Sequence, residues 1–165
     1  MMTGLFKDRE SAEGAYRSLS NRGYGKDDVN LLMSDDTRKK YFSDKDTELG
    51  TKAWEDAGKG AAIGGGVGAT LAAIAAIGTT LALPGLGLLI AGPLAAALAG
   101  GGAGALTGGL IGALVGHGIP EERAKEYDKG IREGGIVLGV NPRTDEDADF
   151  LEKEWRTNRA EGLYR

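Results

Sequence analysis

The chain has no cysteine, a single histidine and only four prolines in 165 residues. Disulfides and thiolate metal sites are therefore excluded, and a metal centre made of several histidines is excluded with them. A lack of cysteine is compatible with a reducing cytoplasm without demanding one. Residues 1–22 mix charged and polar groups and contain no long apolar run, so no secretory signal is read there. The formal net charge of −4 is mild and gives no basis for nucleic acid as a partner. Charge is also missing from one long stretch: Gly60 to Pro120, 61 residues, contains no Asp, Glu, Lys or Arg. All 44 formal charges lie in the other 104 residues.

What fills that stretch is glycine. Of 29 glycines in the chain, 18 fall between Gly60 and Pro120. The outer parts are made for water and the middle avoids it. Before the middle, Thr3-Gly4-Leu5-Phe6 reads as a short strand and Asp8 as a helix N-cap. Ala12, Ala15, Tyr16 and Leu19 follow at helical spacing, and Gly23 ends that helix. Val29, Leu31 and Met33 alternate with Asn30 and Leu32 as in a strand. Ser34 to Asp56 reads as a polar linker with room for one short helix. Its charge runs, Asp35-Asp36 and Arg38-Lys39-Lys40, suit a solvated surface.

After the middle, Pro120 starts a helix at its first position. Ala124, Tyr127 and Ile131 line one face of it, and Gly134-Gly135 stops it. Ile136, Val137, Leu138 and Val140 form a nearly continuous apolar run, the pattern of a central strand covered on both faces. Thr144 with Asp147 resembles a capping arrangement, and Ala148, Leu151 and Trp155 line a third helix. Neither outer part has enough apolar surface to fold well alone. The expected fold class is α/β: a small three-stranded domain, split by a long Gly/Ala-rich helical hairpin. Its parts are residues 1–56 (strand, helix, strand and linker), 57–119 (the hairpin) and 120–165 (helix, strand, helix).

Within the hairpin, small residues recur every fourth position. Gly60, Gly64, Gly68, Ala72 and Ala76 form one stripe; Gly92, Ala96, Gly100, Gly104, Gly108, Gly112 and Gly116 form another. Beside the latter run Gly101, Ala105, Gly109 and Ala113. Residues four apart share a helix face, and small ones there let two backbones approach closely. Ile63, Val67, Leu71, Ile74, Ile77 and Leu81 occupy another face of the first helix; Leu94, Leu98, Leu106, Leu110 and Leu114 do so on the second. Each glycine costs a water-exposed helix about 1 kcal/mol relative to alanine, so close packing, lipid or both must compensate. Gly60–Ala82 and Gly92–Gly116 would be about 35 and 37 Å long as helices, enough to cross a hydrocarbon core of about 30 Å. Leu83-Pro84-Gly85-Leu86-Gly87 breaks the run between them. The two stripes are the candidate helix-packing and oligomerisation residues.

Catalytic patterns are scarce. There is no GxxxxGK[ST], and Gly64-x-Gly66-x-x-Ala69 and Gly100-x-Gly102-x-x-Ala105 follow no predicted strand. His117, at the end of the second helix, suits a helix-dipole contact. Glu121-Glu122 and the acids from Asp145 to Asp149 suit helix starts better than a catalytic pair. Trp54 and Tyr127 flank the hairpin where interfacial aromatics stand in membranes. No catalytic, cofactor-binding or metal-binding residue is assigned, no cofactor is expected, and no small-molecule ligand can be named.

Three blocks carry a likeness to a known family. They are Gly4-Leu5-Phe6-Lys7-Asp8-Arg9-Glu10-Ser11-Ala12-Glu13; Gly23-Tyr24-Gly25-Lys26-Asp27-Asp28-Val29; and Gly118-Ile119-Pro120-Glu121-Glu122-Arg123-Ala124 followed by Tyr127, Gly130 and Gly134-Gly135-Ile136-Val137. With the central glycine zipper they resemble the bacterial general-stress family, the heat- or low-temperature-induced stress protein domain. The resemblance spans nearly the whole chain and implies a stress-induced protein without catalytic residues. The expectation is a non-enzymatic structural protein at the cytoplasmic face of the inner membrane, self-associating through its hairpins in or against lipid. The alternative is a soluble cytoplasmic homo-oligomer whose hairpins bury one another.

Overall fold

The computed structural model describes residues 1–42, 79–83, 86–95 and 103–165. In chain order they form β1 (Met2–Phe6), α1 (Arg9–Asn21), β2 (Val29–Ser34), α2 (Asp35–Tyr41), β3 (Thr79–Leu83), β4 (Leu86–Ala91), α3 (Ala103–Gly116), α4 (Glu121–Arg132), β5 (Ile136–Val140), α5 (Asp145–Thr157) and β6 (Glu161–Tyr164). The strands make one sheet in the order β3-β4-β2-β5-β1-β6, and every adjacent pair is antiparallel. Because β1 and β2 both run opposite to β5 between them, β1-α1-β2 is a split βαβ unit. By the same logic β5-α5-β6 is a second unit, split by β1. Two interlocked split units give the ferredoxin-like connectivity. The β3–β4 hairpin extends that sheet beyond β2.

Alternation along the strands sorts the core into two layers. Phe6, Leu31, Met33, Ile136, Leu138 and Val140 meet Tyr16 and Leu19 of α1 and Leu151 and Trp155 of α5. Phe6 packs edge-on against Trp155, with ring centroids 5.7 Å apart. On the opposite face Leu5, Leu32, Leu88, Ile90 and Val137 meet Leu110, Ala113 and Leu114 of α3 and Tyr127 and Ile131 of α4. The outer parts therefore contribute to one sheet and to both of its core layers, and β5 is a central strand buried on both faces.

The predicted ends of α1 and α5 hold. Asp8 Oδ1 accepts the Ser11 N–H at 2.8 Å, which holds its carboxyl below the ordinary value, and Thr144 Oγ1 accepts the Asp147 N–H at 3.1 Å. Gly23 and Gly134 take the left-handed conformations that end α1 and α4 (φ 77° and 94°). Pro120 is the N-cap of α4 rather than its first residue, so the helix begins one residue later than expected. The short helix within Ser34–Asp56 is α2, and its charge runs pair locally, Asp35 with Arg38 and Lys39. Residues 43–56, with Trp54, lie outside the described residues.

The middle segment is where expectation and structure part. Thr79–Leu83 is a strand, not the end of a helix begun at Gly60, and Leu83 pairs with Leu86 across Pro84-Gly85. Leu83, Leu86 and Gly87 of the expected interhelical break are thus paired strand residues. β6, a four-residue edge strand, is a further addition, and in place of the three expected strands the described residues form six. The physical reason is β-sheet pairing: β2 has a free edge, and β4 satisfies its backbone groups from Leu31 to Ser34.

Gly92 secures the exit from β4. Its φ is 93°, and a β-carbon there would strike the backbone carbonyl of Val29. Two residues on, the Leu94 N–H donates to the buried Asn30 Oδ1 at 2.6 Å. Gly92→Ala should lower stability by about 2–4 kcal/mol, combining left-handed strain with overpacking. Urea denaturation of the two proteins measures it; an unchanged midpoint would mean that this turn does not anchor β4.

Candidate assembly surface

The glycine stripe reaches the structure in pieces. Gly60, Gly64, Gly68, Ala72, Ala76, Ala96 and Gly100 lie outside the described residues. Gly92 belongs to the turn after β4 and shares no helix with the rest, so Gly92–Gly116 is not one continuous helix. Gly104, Gly108, Gly112 and Gly116 do fall on α3. That helix is interrupted at Gly109, whose backbone is non-helical (φ 59°, ψ −146°).

Beyond the interruption, α3 is two-sided. Leu110, Ala113 and Leu114 are buried against Leu88 and Ile90 of the sheet. Gly112 is half-buried, while Val115 and Gly116 are exposed. Val115, at 41% exposure, is the one large apolar side chain among the described residues that stands open to solvent. A side chain added at Gly116 would meet nothing within 4 Å. The bulky residues thus serve the domain's own core, and the stripe's last residues face away from it. His117 ends this helix as expected, with Nδ1 2.9 Å from the Ala113 carbonyl oxygen. At 14 residues α3 is about 21 Å long. Among the described residues no helix is long and apolar enough to cross a membrane.

Chemistry-bearing side chains elsewhere clamp the fold. Tyr24 OH donates to Asp147 Oδ2 at 2.8 Å and accepts the Arg143 N–H at 2.7 Å. The Arg143 guanidinium lies 4.3 Å from the Tyr24 ring centroid and bonds the Gly23 carbonyl and Asp28. Arg22 reaches Asp147 from the other side, over the Phe150 ring. This cluster fastens the loop after α1 to the start of α5. A cleft of about 330 Å³ opens beside it, between Met1 and Arg165. Its cations are already committed: Arg165 pairs with Asp145 and Asp149, and Arg143 with Asp28. Among the described residues no three His, Asp or Glu side chains are placed to hold a metal ion.

Tyr127 is the second clamp and a correction. It is fully buried, not at an interface with lipid. Its hydroxyl donates to the Gly162 carbonyl at 2.7 Å and receives a bond from Thr3 Oγ1 at 2.8 Å, joining α4 to β1 and β6. No family model, curated protein or solved structure matches the chain.

Burial pushes the Tyr127 phenol from its ordinary value of 10.0 up to about 12. An unfolded tyrosine ionises first as pH rises, so this stabilisation is complete below pH 10 and disappears by about pH 12. Two units correspond to roughly 2–3 kcal/mol. Tyr127→Phe should cost about 1–3 kcal/mol at neutral pH by stranding the Gly162 carbonyl. It should also flatten the loss of stability with alkali. Urea denaturation at neutral pH and at about pH 11 tests this; an equally steep alkaline loss in the variant would remove Tyr127 as its source.

Proposed function

We propose that this protein is a non-enzymatic structural module that assembles with copies of itself through its Gly/Ala-rich segment. The observation that carries the proposal is the two-sidedness of α3. Leu110 and Leu114 are used up within the domain, while Gly112, Val115 and Gly116 leave a low, apolar, charge-free face on the outside. Small residues at that spacing permit the backbone of another helix to come close. A stress-response role follows from the family resemblance of residues 4–13, 23–29 and 118–137.

We place the assembly against a membrane surface or free of it; among the described residues no helix is long and apolar enough to cross a membrane.

The test compares wild type with Gly108→Leu, Gly116→Leu and the control Lys153→Met, which adds apolar bulk at an exposed position of α5. Wild type should be an oligomer in detergent-free buffer, and any membrane-bound fraction should be released by carbonate or salt. The leucine variants should keep wild-type circular dichroism and shift to smaller species on crosslinking, while Lys153→Met keeps its assembly state. Extraction by detergent alone would overturn the placement; normal assembly of both leucine variants would overturn the glycine face as the contact.

A further inference from the structure

The two edges of the sheet are built differently. At one edge, β6 has a register shift against β1 between Thr3 and Leu5, a left-handed Gly162 (φ 56°), and Glu161 tied to Lys7 at 2.8 Å. Bulges, charges and irregular backbone are the means by which edge strands avoid pairing with other chains. At the other edge, β3 has none of them. Thr79-Thr80-Leu81-Ala82-Leu83 pairs with β4 in unbroken register over all five residues. It contains no charge or proline, and the charge-free chain continues on both sides of it. Among the described residues no strand pairs with its outer side.

We infer that the outer edge of β3 pairs antiparallel with β3 of a second copy, across a two-fold axis, so that one sheet runs through both molecules. Antiparallel addition continues the pattern of every existing pair in the sheet. Such an interface closes on itself and sets each residue opposite one from the same short segment. Any charge on β3 would then face a like charge nearby, which is destabilising in a cross-strand pair. The absence of charge at this edge, beside its presence at the β6 edge, fits that occupant. A charged partner segment would gain nothing from it. The inference rests on the self-association proposed above and names one of its contacts.

The chain has no cysteine, so single cysteines report pairing cleanly. A two-fold axis through the β3 pair sets one residue against its own copy. Directly opposed residues have Cα atoms about 4.5–5.5 Å apart, within disulfide range. Thr80→Cys, Leu81→Cys and Ala82→Cys in the full chain, mildly oxidised, should include one that converts almost wholly to a covalent dimer. Leu163→Cys, on the β6 edge, should stay largely uncrosslinked. Adding Gly116→Leu should leave the β3 crosslink intact, because it disturbs a different contact. Failure of all three positions to exceed the Leu163→Cys background would overturn the inference, and if Gly116→Leu still reduced oligomer size, the glycine face would stand without it. A monomeric wild type with residues 79–83 protected from hydrogen exchange would overturn both, by showing the edge covered from within the chain.

Discussion

Strand β5 carries apolar side chains on both faces, and the sheet around it must therefore be covered twice. Ile136, Leu138 and Val140 are buried under α1 and α5, and Val137 under the opposite layer. The charged outer parts supply three amphipathic helices: α1, α4 and α5. Two of these are used on the first face, leaving α4 alone to cover the second. α4 closes over Leu5 at Gly130, and Leu110, Ala113 and Leu114 of α3 join the same buried cluster as Leu88 and Ile90. A segment that reads as something apart from the domain is drawn into it by this need, since exposed apolar surface costs roughly 25 cal/mol per Å².

The same constraint explains where polar groups are allowed inside. Thr3, Asn30 and Tyr127 are buried on the second face, and each has a named partner. An unpaired buried hydroxyl or amide would cost about 1–3 kcal/mol, so these bonds also fix which elements meet. Tyr127 joins α4 to both β1 and β6, and Asn30 holds the chain as it leaves β4. On the first face the Tyr24–Asp147–Arg143 cluster does the same work at the rim. It connects the two split βαβ units at the ends of their helices.

Glycine has no single role here. Gly92 is required by a left-handed turn and by the nearness of Val29. Gly130 and Gly135 let α4 and the start of β5 close over Leu5, where a β-carbon would collide with its methyls. Gly109 breaks α3, and Gly116 is free on every side. Only residues of the last sort remain available to an outside partner. A four-residue spacing read along the chain joins glycines that the fold uses for unrelated purposes.

Local rules were sufficient for much of the domain. Caps at Asp8 and Thr144, stops at Gly23 and Gly134, the buried faces of α1, α4 and α5, and the doubly covered β5 were legible because each depends on neighbours within a few residues. The sharing of one core by the two outer parts followed from their apolar content. The β-hairpin was not anticipated, although Pro84-Gly85 stands between two runs rich in Thr, Leu and Ile. Helical periodicity in a Gly/Ala-rich segment competed with that signal, and nothing local decides between them. What decided it was the open edge of β2, distant in sequence, whose backbone groups need partners. The sidedness of α3 was equally out of reach: leucines and glycines each repeat at helical spacing, and only the sheet beneath determined that Leu110 and Leu114 turn inward while Gly116 turns out.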